Sequence, residues 1–266
     1  MKDHLKNTKK VKDDILTLAE FLEKKEYEIF TQYLEDKYKK YSKSFIDIFD
    51  PSKKIEKDME YFSDVRTLSK YNENLISGWL VEDFFIYIFS LPIFNQYGFS
   101  ITLDSHDSDR VIKKKREYIS SDPDFTVEYR GQEYTVEIQS LLIPYGKFHI
   151  KKNKADRLLS QKDSFLYHLN LQNQEIVYFY PSDIEKYGKL TKIWAFGGKK
   201  GYEYVIDKMP KGKKIYSSTF IERIIITLYW FYYYKELGEE EFNIFRDSIT
   251  KKNSDVSSLL NHLKTL

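Results

Sequence analysis

Apolar positions recur at helical spacing in the first third of the chain. Residues 11–48 carry apolar side chains every three to four positions with charged residues between them, which predicts helical structure. Residues 73–91 are apolar on nearly every side, which predicts a buried central helix that Pro92 ends. Residues 104–122 are polar without periodicity and are typical of a loop.

The middle of the chain alternates between apolar and polar residues, as half-buried strands do. A tight turn at 130–132 separates the two alternating stretches, so the pattern predicts a hairpin. Its inward-facing residues are Phe125, Val127 and Tyr129 on the first strand, and Tyr134, Val136 and Ile138 on the second.

The remaining pattern completes a mixed α/β arrangement. It predicts a helix over 147–169, a buried strand over 175–180, a second hairpin from 192–196 and 202–206, and an apolar helix over 221–234. We therefore expect a single domain with an α/β fold: a helical N-terminal arm (1–72), an α/β core (73–216) and a C-terminal helical region (217–266).

Composition narrows the class of protein. Of 266 residues, 41% are hydrophobic and 32% charged, which is typical of a globular chain. The absence of cysteine excludes disulfide scaffolds and thiolate metal sites, and is compatible with a reducing cytoplasm. The sequence holds no apolar run of eighteen residues and no apolar stretch behind its lysine-rich start, so we expect neither a membrane span nor a signal peptide.

The net charge of +2 hides an uneven distribution. Residues 145–216 contain 15 Lys and Arg against 7 Asp and Glu, a net charge of +8, whereas the remainder carries 28 against 34, a net charge of −6. A basic centre is typical of a surface that binds a polyanion. Lysine used for solubility explains the same numbers, and charge alone does not decide between them.

Two carboxylates are the main candidates for chemistry. Asp124 and Glu137 both fall opposite in phase to the apolar residues of the hairpin, so they are expected on the same side of adjacent strands. Two carboxylates on adjacent strands can lie close enough together for their oxygens to bind one ion, and Mg²⁺ prefers such oxygen ligands. The alternatives stay open: Asp124 can be a turn residue beside Pro123, and Glu137 with Gln139 can form the solvent face of a hairpin.

Pro123-Asp124 followed by Glu137-Ile138-Gln139 resembles the signature of the PD-(D/E)xK nuclease superfamily, the fold of most type II restriction endonucleases. Glutamine stands where the commonest pattern has lysine, and some restriction enzymes of the superfamily carry Glu-x-Gln. Members often have a glutamate on the helix before the hairpin, and Glu82 is placed to match it. The resemblance covers residues 73–180 and implies a restriction-endonuclease-like core with a central mixed β-sheet flanked by helices.

The resemblance also implies roles for individual residues. Asp124, Glu137 and Glu82 would hold Mg²⁺, and Asp124, Glu137 and Gln139 would be catalytic. Gln139 can orient water but carries no charge, so a lysine or a second ion must replace the charge of the motif lysine. Lys147, Lys151 and Lys154 lie on one stripe of the predicted helix over 147–169 and are candidates for this charge or for phosphate contacts. Lys199 and Lys200, between the strands of the second predicted hairpin, are candidates for contacts with DNA. A solvated surface is the alternative for each of the five.

These observations predict a Mg²⁺-dependent type II restriction endonuclease that cleaves double-stranded DNA at a short specific sequence. A repair nuclease, a junction resolvase and a catalytically silent DNA-binding module are the alternatives. A two-fold dimer is expected for a palindromic site, with the aromatic helix 221–234 as its candidate interface. A cognate DNA methyltransferase is expected in the same system, but not as a stable subunit.

Overall fold

A computed structural model of the 266-residue chain describes twelve stretches of the sequence. Every structural statement below concerns these residues alone. The described stretches are 5–22, 24–49, 67–90, 99–103, 110–112, 123–129, 132–141, 148–161, 163–171, 175–194, 200–207 and 214–215.

The N-terminal part is helical, as predicted, but in two helices joined by a single 3₁₀ turn. Helix α1 (Lys6–Leu18) is followed by the turn Ala19–Phe21, α2 (Lys24–Ile48) and the central helix α3 (Leu68–Phe89). The Thr67 hydroxyl caps α3 by accepting a hydrogen bond from the amide of Lys70, so the helix begins five residues before the predicted start.

The larger sheet has six strands in the order β1-β2-β3-β5-β6-β9. The first three form an antiparallel meander, β3 runs parallel to β5, and β5 is antiparallel to β6. Its strands are β1 (Phe99–Leu103), β2 (Phe125–Tyr129), β3 (Gln132–Leu141), β5 (Ser164–Asn170), β6 (Glu175–Phe179) and β9 (Lys214–Ile215). The predicted hairpin is confirmed as β2 and β3, and the predicted strand over 175–180 is confirmed as β6. The mixed α/β class is confirmed as well.

A smaller antiparallel sheet has the order β4-β8-β7. Its strands are β4 (Phe148–Lys151), β7 (Lys189–Trp194) and β8 (Lys200–Ile206). Two short helices accompany it, α4 (Lys152–Ser160) and α5 (Pro181–Tyr187). The second predicted hairpin is confirmed as β7 and β8, while residues 195–199 between the two strands lie outside the described residues.

Both faces of the larger sheet are covered. On one face, Tyr167 of β5 stacks on Phe85 of α3 with ring centroids 5.6 Å apart. On the other face, Leu166 of β5 belongs to a buried cluster that α4, α5 and the smaller sheet complete. Since β3 lies in the middle of this sheet, residues 136–138 are buried on both of its faces, and the site described below lies on the α4 side.

The predicted helix over 147–169 is wrong. This segment forms β4, α4 and β5 in succession. Phe148 and Ile150 alternate as strand residues, and Leu166 and Leu169 belong to a strand buried on both faces. A short apolar run of that kind has the same periodicity as a buried helix segment, so spacing alone does not separate the two.

The chain divides into two compact units, Met1–Lys214 and Ile215–Leu266. The predicted C-terminal helix 221–234, and the dimer interface proposed on it, lie outside the described residues. Among the described helices, none is long and apolar enough to cross a membrane.

Candidate active site at the start of the central hairpin

Asp124 is fixed by the backbone of the neighbouring strand. It lies one residue before β2, beyond the last pair of the β2–β3 ladder, Phe125 with Val136. Its Oδ2 accepts a hydrogen bond of 2.6 Å from the amide of Ile138. This contact satisfies a buried backbone donor and holds the carboxylate beside β3.

Glu137 is completely buried on β3, where it is the register partner of Leu166 on β5. The alternative of an exposed hairpin face is therefore wrong for this residue. A buried carboxylate is costly unless cations or hydrogen bonds compensate its charge. Helix α4, which follows β4, supplies two cations for it.

Lys154 joins the two carboxylates. Its ammonium nitrogen Nζ lies 2.5 Å from Oε2 of Glu137 and 3.2 Å from Oδ2 of Asp124. Its side chain is 22% exposed, so it is only partly buried. Thus one carboxylate just before β2 and one on β3 converge on one cation from the following helix.

Arg157 lies three positions after Lys154 and therefore on the same side of α4. Its guanidinium pairs with the other oxygen of Glu137, Oε1. The sequence analysis missed Arg157. The signal that could have found it was its spacing of three positions from Lys154 within the predicted helix over 147–169.

Glu82 lies on α3, as predicted, and is held by an arginine that the sequence analysis did not identify. Oε2 of Glu82 is 2.6 Å from Nη1 of Arg110, a buried residue with a positive φ of 52°. Burial, and next the negative charge of Asp124, raise the pKa of Glu82 to about 7 against the opposing charge of Arg110. Glu82 is therefore within electrostatic range of Asp124 while its carboxylate is engaged elsewhere.

A second buried carboxylate follows directly on α3. Asp83 accepts a 2.7 Å hydrogen bond from the hydroxyl of Tyr41, and its other oxygen lies 3.8 Å from Lys37 and 3.9 Å from Arg110. Burial, and then the charge of Asp83, raise the pKa of Tyr41. This network ties α2 to α3 and to Arg110, so it supports the helix that carries Glu82.

The donor set suits a hard divalent cation. Asp124 and Glu137 offer carboxylate oxygens, the ligands that Mg²⁺ prefers, and both already contact one positive group. Among the described residues, no group of three His, Cys, Asp or Glu side chains is arranged to hold an ion. The structure thus brings two of the three predicted ligands together, and Arg110 engages the third.

Gln139 is hydrogen-bonded to the smaller sheet. Its side-chain nitrogen Nε2 donates a hydrogen bond to the carbonyl of His149 on β4, and its Oε1 is buried without a hydrogen-bond partner in the described part of the chain. His149 itself pairs through Nδ1 with Glu203 on β8. The glutamine therefore links the two sheets beside Glu137 and leaves one acceptor free.

Two of the other predicted lysines lie on strands of the smaller sheet. Lys151 ends β4 and is exposed, so the predicted helical stripe of Lys147, Lys151 and Lys154 is wrong. Lys200 belongs to β8, whereas Lys147 and Lys199 lie outside the described residues. Of the five lysines, Lys154 alone is described at the carboxylates.

Comparison with known proteins identified no matching protein-family model, no significant match among curated proteins and none among solved structures.

Proposed function

We propose that this protein is a Mg²⁺-dependent nuclease that hydrolyses phosphodiester bonds of double-stranded DNA, of the type II restriction kind. The observation that carries the proposal is the convergence of Asp124 and Glu137 on one cation. Carboxylates arranged in this way bind a divalent ion of the kind that phosphodiester hydrolysis uses.

The order of elements supports the same reading. The resemblance implies a helix with a glutamate, a hairpin with the two acidic residues, a following helix and a further strand. The chain has α3 with Glu82, the β2–β3 hairpin, α4, and then β5 parallel to β3. A restriction-endonuclease-like core is therefore part of the proposal.

In this mechanism Asp124 and Glu137 would hold the ion through their carboxylate oxygens. When bound there, the ion polarises the scissile phosphate and lowers the pKa of a water molecule. The hydrogen bond from Ile138 keeps Asp124 in place, and Arg157 compensates the buried charge of Glu137. Both contacts preorganise the carboxylates before DNA arrives.

Lys154 is the candidate for the charge that Gln139 lacks. A neutral amide can orient water, but only a cation offsets the negative charge that develops on the phosphate. The ammonium of Lys154 already lies at the two carboxylates and reaches them from α4 rather than from β3. We assign the role of the missing motif lysine to this residue.

Two alternative functions are compatible with the same fold and the same carboxylates. A repair or junction nuclease would use the same carboxylates on a different DNA structure. A silent DNA-binding module would keep the fold without turnover, and the cation pairs at Asp124 and Glu137 would then serve stability alone.

Plasmid digestion distinguishes these functions. We expect discrete fragments from the wild type with Mg²⁺, and none with chelator or with Asp124→Asn. A smear would indicate a nuclease without sequence specificity, and cleavage of branched DNA alone would indicate a junction enzyme. If the plasmid stays intact with every divalent ion tested while the protein still binds DNA, the nuclease proposal is contradicted.

A further inference from the structure

We infer that Lys154 and the divalent ion compete for the same carboxylate oxygens, so that Lys154 sets the affinity of the site for metal and is released by metal binding. This inference rests on the proposed function, because it concerns the ion that the proposed nuclease requires. It assigns Lys154 a second role: it determines how strongly the site binds a divalent cation.

The first argument is spatial. The ammonium of Lys154 contacts Oε2 of Glu137 at 2.5 Å and Oδ2 of Asp124 at 3.2 Å. A Mg²⁺ ion bound by the same oxygens would approach each to about 2.1 Å. Two cations cannot occupy the space between one pair of oxygens, so metal binding requires the ammonium to leave.

The second argument is the balance of charge. Asp124 and Glu137 carry two negative charges, and Lys154 and Arg157 carry two positive ones. A divalent ion added without any displacement would leave an excess positive charge in a site where Glu137 is completely buried. Burial makes such an excess costly, whereas exchange of the ammonium for the ion reduces it.

The third argument is that the two cations differ in their freedom to move. Arg157 pairs with the far oxygen, Oε1, and its side chain is 14% exposed. Lys154 pairs with Oε2 of Glu137 and Oδ2 of Asp124, and its 22% exposed side chain is a flexible four-carbon stem. Arg157 can therefore stay with Glu137 while Lys154 moves toward the surface, where the phosphate of DNA would lie.

The variant Lys154→Met tests the inference through metal binding rather than activity. It keeps most of the aliphatic stem and removes the competing charge. A neighbouring charge typically changes such an equilibrium tenfold to about a thousandfold, so we expect Mn²⁺ to bind the variant at least about tenfold more tightly than it binds the wild type. Isothermal titration with Mn²⁺ alone measures this, while DNA cleavage by the same variant should become slower.

Lys152→Met is the matched control. Lys152 lies on the same helix, pairs with Asp156 and has a 43% exposed side chain. Its removal changes the net charge by the same amount and should leave Mn²⁺ affinity unchanged. Equal or weaker Mn²⁺ binding by Lys154→Met than by wild type would overturn the inference.

A second test uses the wild-type protein alone, so it does not depend on whether a variant folds. Amine acetylation followed by mass spectrometry reports how accessible each lysine is. Saturating Mn²⁺ should increase the labelling rate of Lys154 and leave that of Lys152 unchanged. Unchanged labelling of Lys154 at saturating Mn²⁺ would overturn the inference even if Lys154→Met does not fold.

The outcomes separate the inference from the proposed function. If the wild type binds Mn²⁺ and cleaves DNA but Lys154→Met gains no affinity, the inference alone is wrong. If neither protein binds Mn²⁺ and the wild type does not cleave DNA, the proposed function fails together with the inference.

Discussion

The ammonium nitrogen of Lys154 lies 2.5 Å from Oε2 of Glu137, although the two residues are 17 positions apart and belong to a helix and a strand. The strand β4 lies between them in the sequence and sets where α4 begins. Through this contact the helix supplies a positive charge to a buried carboxylate of the sheet. The same contact gives the proposed nuclease the lysine that its motif lacks.

The role assigned to Lys154 predicts a rescue. Lys154→Met should slow DNA cleavage by about a hundredfold or more, as loss of one charge-stabilising group does. Adding Gln139→Lys to that variant should restore part of the rate, because Gln139 lies two positions from Glu137 on the same face of β3. Single-turnover rates of the two single variants and the double variant measure this coupling. A double variant no faster than Lys154→Met would argue against a shared role.

The environment of Glu82 predicts a pH dependence of stability. Its pKa is about 7 in the folded protein against an ordinary value of 4.5, so between these values the folded chain retains a proton that the unfolded chain releases. The contribution of this group to stability is therefore present below about pH 4.5 and is lost as the pH rises to about 7. In thermal unfolding over this range, the wild type should lose stability relative to Glu82→Gln as the pH rises. Parallel curves would contradict this account of Glu82.

His168 predicts the opposite dependence. It is completely buried on β5 with its ring edge-on to Phe148 at 5.0 Å, and neither ring nitrogen has a hydrogen-bond partner in another described residue. Burial, and next the charge of His149, lower the pKa of His168 to about 3. The unfolded chain takes up its proton near the ordinary value of 6.5, so this stability is present above about pH 6.5 and is lost as the pH falls toward 3.

His168→Leu removes that titration. We expect the variant to be more stable than wild type by about 1 kcal/mol at neutral pH, because it removes two buried ring nitrogens that no other described residue hydrogen-bonds. We also expect its advantage to grow as the pH falls below 6.5. Urea unfolding at several pH values measures both effects, and a constant difference between the two proteins would show that His168 does not titrate on unfolding.

Much of the framework was predictable from the sequence. Alternation predicted the β2–β3 hairpin, which brings Asp124, one residue before β2, to the side of β3 that carries Glu137. The apolar helix that contains Glu82 was evident from its composition. These features follow from local periodicity, which the sequence expresses directly.

The partners of the carboxylates were not predictable in the same way. Lys154 and Arg157 reach Glu137 only because β4 shortens the segment that looked like one long helix. Arg110 reaches Glu82 from a stretch with no periodicity at all. Such contacts depend on where elements begin and how they pack, and a single sequence does not encode these as a local pattern.

The most direct test compares two glutamates of one strand. Glu137 is completely buried on β3 and contacts Lys154, whereas Glu133 lies four positions earlier on the same strand and is exposed. Single-turnover cleavage of plasmid DNA with Mg²⁺ should be unchanged in Glu133→Gln and reduced by about a thousandfold or more in Glu137→Gln, with DNA binding retained in both. Cleavage by Glu137→Gln at the rate of Glu133→Gln would contradict the assignment of this site.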